Sequence, residues 1–343
     1  MMADKATIHD IARELKIAAS TVSRALNGSP RISQQTKDSV LSVAKQLNYQ
    51  PHKLAAALRN GRSNIIGIIV PTADRNFFGS IVRGVEEVAM NANYQVIICQ
   101  TYENPAKEAA AVEALINSRV DGIITSFSKN TVNFDHFLKA KRQGIPVISF
   151  DRTNDDLDIS KVLIDDFKGA YKATEHLIQQ GCKRIGHFTS FQNVSIYKER
   201  RRGYLAALEH YSLPLVNELI VESNMQLEDG RRSMQKLLDE RISVDGVFSS
   251  SDLGAMGALQ VLKEHGIRVP DEVAIVGFSN DPFTLFSDPP ISSVDQHCLR
   301  MGNIACEIFL DEVKLNGQAE FSPRKVVLMP ELIVRGSSLR TSS

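Results

Sequence analysis

Cysteine is scarce and scattered in this sequence. Cys99, Cys182, Cys298 and Cys306 form no Cys-x-x-Cys pair, so neither a disulfide framework nor a zinc knuckle is suggested. Long apolar runs are missing too. The longest, Ile65 to Val70, is far too short to span a bilayer, and the polar start Met1-Met2-Ala3-Asp4-Lys5 lacks the apolar core of a secretory signal. These absences predict a cytoplasmic protein with no membrane partner. No proline- or glycine-rich block interrupts the chain, which argues against disorder and low complexity. The patterns Gly-x-x-x-x-Gly-Lys, Gly-x-Gly-x-x-Gly and His-Glu-x-x-His do not occur, and none of the eight histidines pairs at i, i+4. A nucleophile elbow is also absent. No cofactor, no metal and no enzymatic activity are therefore expected.

What is present is a 343-residue chain with 43% hydrophobic and 23% charged residues, long enough for two or three domains. Net charge is zero, with 40 Lys/Arg against 40 Asp/Glu. That sum hides a polarity. Residues 1–62 carry ten Lys/Arg and four acids, a net +6, so the remainder carries −6. A short basic head on a larger acidic body fits one end that meets a polyanion and a body with another task.

Within the head, Thr7 and Asp10 read as a helix start, and Ile8, Ile11, Ala12 and Leu15 repeat at helical spacing. After Lys16-Ile17-Ala18 a second helix fits Ala19 to Leu26, with Val22, Ala25 and Leu26 inward. Ser33 caps a third over Gln34 to Leu47. Two short helices across a three-residue turn, buttressed by a third, make a helix-turn-helix. The plainer alternative is a trihelical bundle with a solvated polar face. Placing the apolar residues inward leaves Ala19, Ser20, Ser23 and Arg24 outward. Arg24 has the fork that matches guanine O6 and N7, while Thr7, Thr21 and Asn27 are placed for phosphates. Pro51 to Arg62 follows as a basic, alanine-rich stretch too short to be a stable helix alone.

From Ile65 short apolar strands alternate with amphipathic helices in two series, which predicts two parallel, doubly wound lobes. Ligands of such sheets sit beyond the carboxyl ends of strands. The residues found there are Asp74, Arg75, Asn76, Phe77 and Phe78; Asp151 and Arg152; Ser251 and Asp252; and Ser279, Asn280 and Asp281. Carboxylates, amides and rings together suit a polyhydroxy ligand.

Thr7-Ile8-His9-Asp10-Ile11-Ala12, Ser20-Thr21-Val22-Ser23-Arg24-Ala25-Leu26-Asn27-Gly28 and Leu47-Asn48-Tyr49-Gln50-Pro51 closely resemble the head of the LacI/GalR (lactose-repressor type) family, and the resemblance continues through the chain. Lys16 stands where that family usually has glycine in a left-handed turn. The resemblance implies an all-α helix-turn-helix domain (1–50), a hinge helix (51–62), and a two-lobed α/β core like a periplasmic binding protein (63–343). Its first lobe is expected at about 63–160 and 293–323, its second at about 161–292 and 324–340, with three crossovers. In the hinge, Leu58 matches the family's minor-groove wedge and Ala55 keeps paired hinges close. For the effector site, Asp74 and Asp151 match family aspartates and Gln296 lies in a crossover near the cleft. Lys198 stands where the family uses arginine, Ser251 where it uses asparagine, and Ser279 where an aspartate commonly binds sugar hydroxyls.

The resemblance thus implies a ligand-responsive regulator, most often a repressor of carbohydrate-utilisation genes, that binds pseudo-palindromic operator DNA as a homodimer and answers to a small molecule, expected to be a sugar. The absence of a heptad segment after Leu332 to Gly336 adds to the expectation of a dimer. Alternatives are a purine or other corepressor, an activator, a solute-binding protein or an enzyme. The basic head and missing signal peptide count against the solute binder, and the missing catalytic motifs against the enzyme.

Overall fold

The computed structural model describes residues 6–49, 62–315 and 322–340. Two compact units divide at Ser63 and Asn64.

In the first unit, helices α1 (Ile8–Leu15), α2 (Ala19–Leu26) and α3 (Gln34–Gln46) enclose a small core of Ile11, Ala12, Val22, Ala25, Val40 and Ala44. The Thr7 amide and hydroxyl both donate to Asp10 Oδ2, at 2.9 and 2.7 Å, and so fix the start of α1. Lys16 adopts φ 52 and ψ 41 where α1 ends, and the Ile17 amide closes onto the Ala12 carbonyl at 3.0 Å. The left-handed turn therefore forms without glycine, at a cost of about 1 kcal/mol. The Thr36 amide donates to Ser33 Oγ and caps α3.

The second unit runs β1 (Ile65–Val70), α4 (Asn76–Asn91), β2 (Gln95–Gln100), α5 (Pro105–Asn117), β3 (Gly122–Thr125), α6 (Asp135–Arg142), β4 (Val147–Phe150) and β5 (Ser160–Ile164). It continues with α7 (Asp166–Gln179), β6 (Ile185–Thr189), α8 (Ser195–His210), β7 (Ile220–Glu222), α9 (Leu227–Asp239), β8 (Gly246–Ser249), α10 (Asp252–Glu264), β9 (Ala274–Ser279) and β10 (Ser292–Asp295). Last come α11 (Cys298–Leu315), β11 (Lys325–Leu328) and β12 (Glu331–Ile333).

These strands form two six-stranded sheets, ordered β11-β5-β4-β3-β1-β2 and β12-β10-β9-β8-β6-β7. Every pairing is parallel except β10 with β12. Parallel strands covered on both faces need near-continuous apolar runs, and Ile-Ile-Gly-Ile-Ile-Val of β1 is one, buried from its second residue on. Helices α4 and α11 cover one face of the first sheet, α5 and α6 the other. On the second sheet α7 and α8 cover one face and α9 and α10 the other.

Sheet membership corrects the expected lobe boundaries. Ser160–Ile164 and Lys325–Leu328, expected mostly in the second lobe, pair with each other in the first sheet, tied by the Lys161 amide to Arg324 O at 2.8 Å and the Asp165 amide to Leu328 O at 2.9 Å. Ser292–Asp295, expected to straddle the boundary near 293, lies wholly in the second sheet against β9. The lobes are therefore joined after β5, between β10 and α11, and between β11 and β12.

Candidate functional site

Two surfaces carry the residues singled out by sequence. On the head, Ser20 and Arg24 are exposed one turn apart on α2, Asn27 is exposed at its end, Thr21 is half-buried, and Thr7 is exposed at the start of α1. The Asn27 side-chain amide donates to the Ser23 carbonyl at 2.8 Å, which braces the last turn. Two residues expected outward are not. Ser23 is 8% exposed, and Ala19 is half-buried against the small core. Ala19 lies three residues before Val22 and Ser23 four after Ala19, so helical periodicity puts all of them along one inward stripe. The outward face is Ser20, Arg24 and Asn27. Ala55 and Leu58 lie outside the described residues.

The second surface is a cavity of about 290 Å³ where the carboxyl ends of both sheets face each other. The first lobe contributes Asp74 to Phe78 after β1, and Asp151 and Arg152 after β4. The second contributes Ser250, Ser251 and Leu253 after β8, Ser279, Asp281 and Phe283 after β9, and Ile196, Tyr197 and Arg200 from α8. Gln296, in the crossover between β10 and α11, completes the wall. Strand ends converge here because parallel sheets place every carboxyl end, and the helix that follows it, on one side.

Arg200 organises the second-lobe wall. Its Nε donates to Asp166 Oδ1 at 2.7 Å, one Nη to the Ser250 carbonyl at 2.8 Å and the other to Gln296 Oε1 at 3.3 Å. The guanidinium lies 3.7 Å over the Phe278 ring. Gln296 in turn donates to Ser279 Oγ at 2.9 Å. Burial raises the Asp166 carboxyl to about 7 against the opposing pull of Arg200. On the first-lobe wall, Arg152 Nη1 reaches both oxygens of Glu103, at 2.8 and 2.9 Å, and its Nε lies 3.9 Å from Asp151 Oδ2. Burial is the largest influence on Glu103 and would raise it, but Arg152 together with the Lys129 amide hold it below the usual carboxylate range. Asp151 is 3% exposed, and burial raises its carboxyl despite Arg152 and Arg200 nearby. Asp151 at φ 58, Ser279 at φ 126 and Asn280 at φ 54 hold left-handed backbone at the rim of the cavity, a conformation that surrounding structure must enforce.

Asp74, Asn76, Phe77, Phe78, Asp151, Arg152, Ser251, Ser279 and Gln296 all line the cavity as the sequence predicted. Three predicted residues do not. Lys198 is exposed on α8; two residues on, about 200° around the helix, Arg200 points inward instead. Asp252 is fully buried behind the wall, where it accepts from Ser293 Oγ at 2.6 Å and the Asp281 amide at 2.7 Å. Asn280 is turned away, its amide nitrogen on Asp295 at 3.0 Å and its oxygen on Arg335 at 2.6 Å. These two set the corner that presents Ser279 and Asp281. Tyr197, Arg200, Ser250 and Phe283 were missed. A signal for Arg200 existed: Ile196, Gly203, Tyr204 and Ala207 fix the buried phase of α8, and Arg200 falls on it.

Among the described residues no helix is long and apolar enough to cross a membrane.

Comparison with known proteins places both units. Residues 7–52 match the model of bacterial regulatory proteins, lacI family, and residues 174–338 that of a periplasmic binding protein-like domain. The chain is 32% identical to the HTH-type transcriptional repressor PurR of Actinobacillus pleuropneumoniae serotype 3 over 332 residues, covering 97% of this chain and 98% of that one. It is 31% identical to the ribose operon repressor of Halalkalibacterium halodurans over 308 residues, 90% of each. Among solved structures, a transcriptional regulator CelR–cellobiose complex superposes with a TM-score of 0.72 at 27% identity over 97% of this chain and 100% of that one. A lac repressor dimer bound to operator and the anti-inducer ONPF gives 0.87 at 20% identity over 98% and 100%, a likeness of fold. A helix-turn-helix head, a two-lobed binding core and full-length relatives that are transcriptional regulators agree: the chain belongs to the lacI family of bacterial regulatory proteins and is a DNA-binding transcription regulator.

Proposed function

We propose that the protein is a dimeric repressor of carbohydrate-utilisation genes whose operator affinity is set by a sugar bound in the cavity between the lobes. The observation that carries this reading is the cavity itself, walled by aspartates, guanidiniums, a glutamine and rings drawn from both lobes and one crossover. A ligand touching all three elements favours one lobe angle, and it shifts the operator-bound population only by its difference in affinity for the two states. Residues 1–50 serve as DNA reader and 51–62 as hinge, with Leu58 as an apolar wedge and Ala55 at the hinge contact. Thr7, Thr21 and Asn27 hold phosphates while Ser20 and Arg24 reach base edges. A second copy would bring the two heads to the half-sites of a pseudo-palindrome. The outer edge of the first sheet supports pairing: Ile97 and Ile98 of β2 are 38% and 43% exposed and the nearby Met90 72%.

Gel shifts with DNA upstream of the gene, at two salt concentrations and with and without sugars, test this. Specific binding that weakens with salt and changes with a sugar is expected; its absence overturns the proposal. The second reading, a purine corepressor, draws on the four rings Phe77, Phe78, Tyr197 and Phe283 on the wall, which could stack a flat base, and on the likeness to PurR. Response to a purine base and to no sugar would establish it instead.

A further inference from the structure

Lys16 is accounted for neither by the small core of the head nor by the outward face of α2. It closes α1 at φ 52 and ψ 41, a left-handed backbone that glycine takes without strain and a longer side chain does not. Asn48 shares that region at φ 49, but asparagine tolerates it. The turn around Lys16 is pinned by backbone bonds: its own amide donates to the Arg13 carbonyl at 3.3 Å, the Ile17 amide to the Ala12 carbonyl at 3.0 Å and the Thr21 amide to the Ala18 carbonyl at 2.8 Å. Ile17 packs against the small core, which leaves Lys16 and Ala18 exposed on either side of it.

No acid of the described head takes the ammonium. Asp10 accepts from Thr7 and pairs with Arg13 at 3.2 Å, and Asp38 accepts from the Gln34 side chain at 2.9 Å. Among the described residues the Lys16 side chain forms no hydrogen bond and no ion pair. A strained residue whose charge meets nothing in its own chain directs attention to a partner outside it. In a helix-turn-helix the first helix crosses the sugar-phosphate backbone while the start of the second reaches base edges, so the turn between them runs beside phosphates. Lys16 stands four residues before Ser20, at most about 14 Å along the chain, and its four-carbon stem carries the ammonium further. Thr7, Thr21 and Asn27, placed for phosphates, are neutral. They can fix the register of the head, whereas a lysine that meets a phosphate also releases a condensed counterion.

We propose that Lys16 is a DNA-binding residue, its ammonium neutralising one backbone phosphate beside the bases reached by Ser20, with the strained turn holding it there.

Three variants separate charge from backbone. Lys16→Gly relieves the turn and removes the charge, Lys16→Gln keeps the turn and removes the charge, and Lys16→Arg keeps both. Anisotropy titrations of the full chain at several salt concentrations, on DNA from upstream of the gene and on a mixed-sequence duplex of the same length, read the contact. Lys16→Gly and Lys16→Gln should each lower the slope of log affinity against log salt by about 0.9 for every head engaged. That amounts to about eightfold in affinity per head at ~0.1 M salt relative to ~1 M, alike on both duplexes because a phosphate contact carries no sequence. Lys16→Arg should stay within about twofold of the wild type. Hydrogen exchange on the full chain should move the other way: Lys16→Gly raises the protection of the α1 and α2 amides about threefold to fivefold as strain is relieved, and Lys16→Gln leaves it unchanged. A head that is better protected yet binds DNA less tightly is the expected signature of Lys16→Gly. An unchanged salt slope in both Lys16→Gly and Lys16→Gln, a loss in Lys16→Gly alone, or a loss on one duplex only overturns the proposal.

Discussion

Arg24 and Asp252 are single residues whose roles follow from where they are held. Arg24 is exposed on the outward face of α2 with Ser20 one turn before it. A bidentate contact to guanine contributes about 1–3 kcal/mol of discrimination, so Arg24→Ala should weaken operator binding about tenfold to a hundredfold. The sugar-dependent thermal shift should remain, because the cavity draws on residues 74 to 296 alone. Anisotropy titrations beside melting curves read both quantities. Asp252 does opposite work: fully buried, it ties the corner after β9 through Ser293 and the Asp281 amide. Burial raises its carboxyl from 3.8 to about 7; the hydrogen bonds from Ser293 and the Asp281 amide and the charge of Arg335 oppose the rise, while the charge of Asp281 adds to it. The folded chain thus binds more protons than the unfolded one between about pH 4 and 7, so stability is greatest at the acid side of that window and falls as pH rises through it. The loss is on the order of 3 kcal/mol, and Asp166, also raised to about 7, adds in the same direction. Melting temperature should fall from pH 5 to pH 8, and Asp252→Asn should flatten that slope; an unchanged slope would contradict the assignment. Asp252 was legible as a residue after a strand, but its place behind the wall was not. Position after a strand marks a neighbourhood, whereas the direction of a side chain depends on partners such as Ser293, 41 residues away.

Helix pairs set how closely the cavity walls are held. Where α8 crosses α7, a Cβ on Gly203 would overlap the Phe167 carbonyl oxygen; Gly302 on α11 would meet Ile81 O, and Gly257 on α10 would meet Leu227 O. All three pairs therefore cross at a glycine that lets backbone approach backbone. Gly203→Ala should cost about 1–3 kcal/mol through overpacking and shift α8, which carries Tyr197 and Arg200. Gly144→Ala is the comparison: that glycine sits at φ +76 with nothing near its missing Cβ, so its cost of about 1 kcal/mol is local strain. Urea unfolding should show the larger loss for Gly203, together with weaker sugar binding in that variant only. Element bounds were close to fully legible: α2 at 19–26 and β1 at 65–70 form as the periodicity predicts. The sheet to which β5 belongs was not, because an apolar strand reports that it is buried and not which neighbour pairs with it. Its partner β11 is about 160 residues away.

At the scale of the whole molecule, a charge of +6 over residues 1–62 and −6 over the rest confines phosphate affinity to the head and keeps the larger unit from clinging to the duplex. Effector and operator then communicate only through the population of lobe arrangements. Coupling of that kind is reciprocal: if sugar changes operator affinity by some factor, operator DNA changes sugar affinity by the same factor. Asp151 follows β4 with its carboxyl buried, within the electrostatic reach of Arg152 and Arg200, on the wall of the cavity between the two lobes. Asp151→Ala removes an acceptor for sugar hydroxyls and should weaken sugar binding at least tenfold, about 1.4 kcal/mol or more. Operator binding by the sugar-free variant involves the head and should persist. At a sugar concentration that saturates the wild type, the variant should then show a clearly smaller change in operator affinity, and ten times more sugar should restore much of it if affinity alone was lost. Anisotropy titrations of operator DNA across a sugar series separate these outcomes. A full response at the original concentration would remove Asp151 from the effector site, whereas a response missing at every concentration would make it part of the coupling as well as the binding.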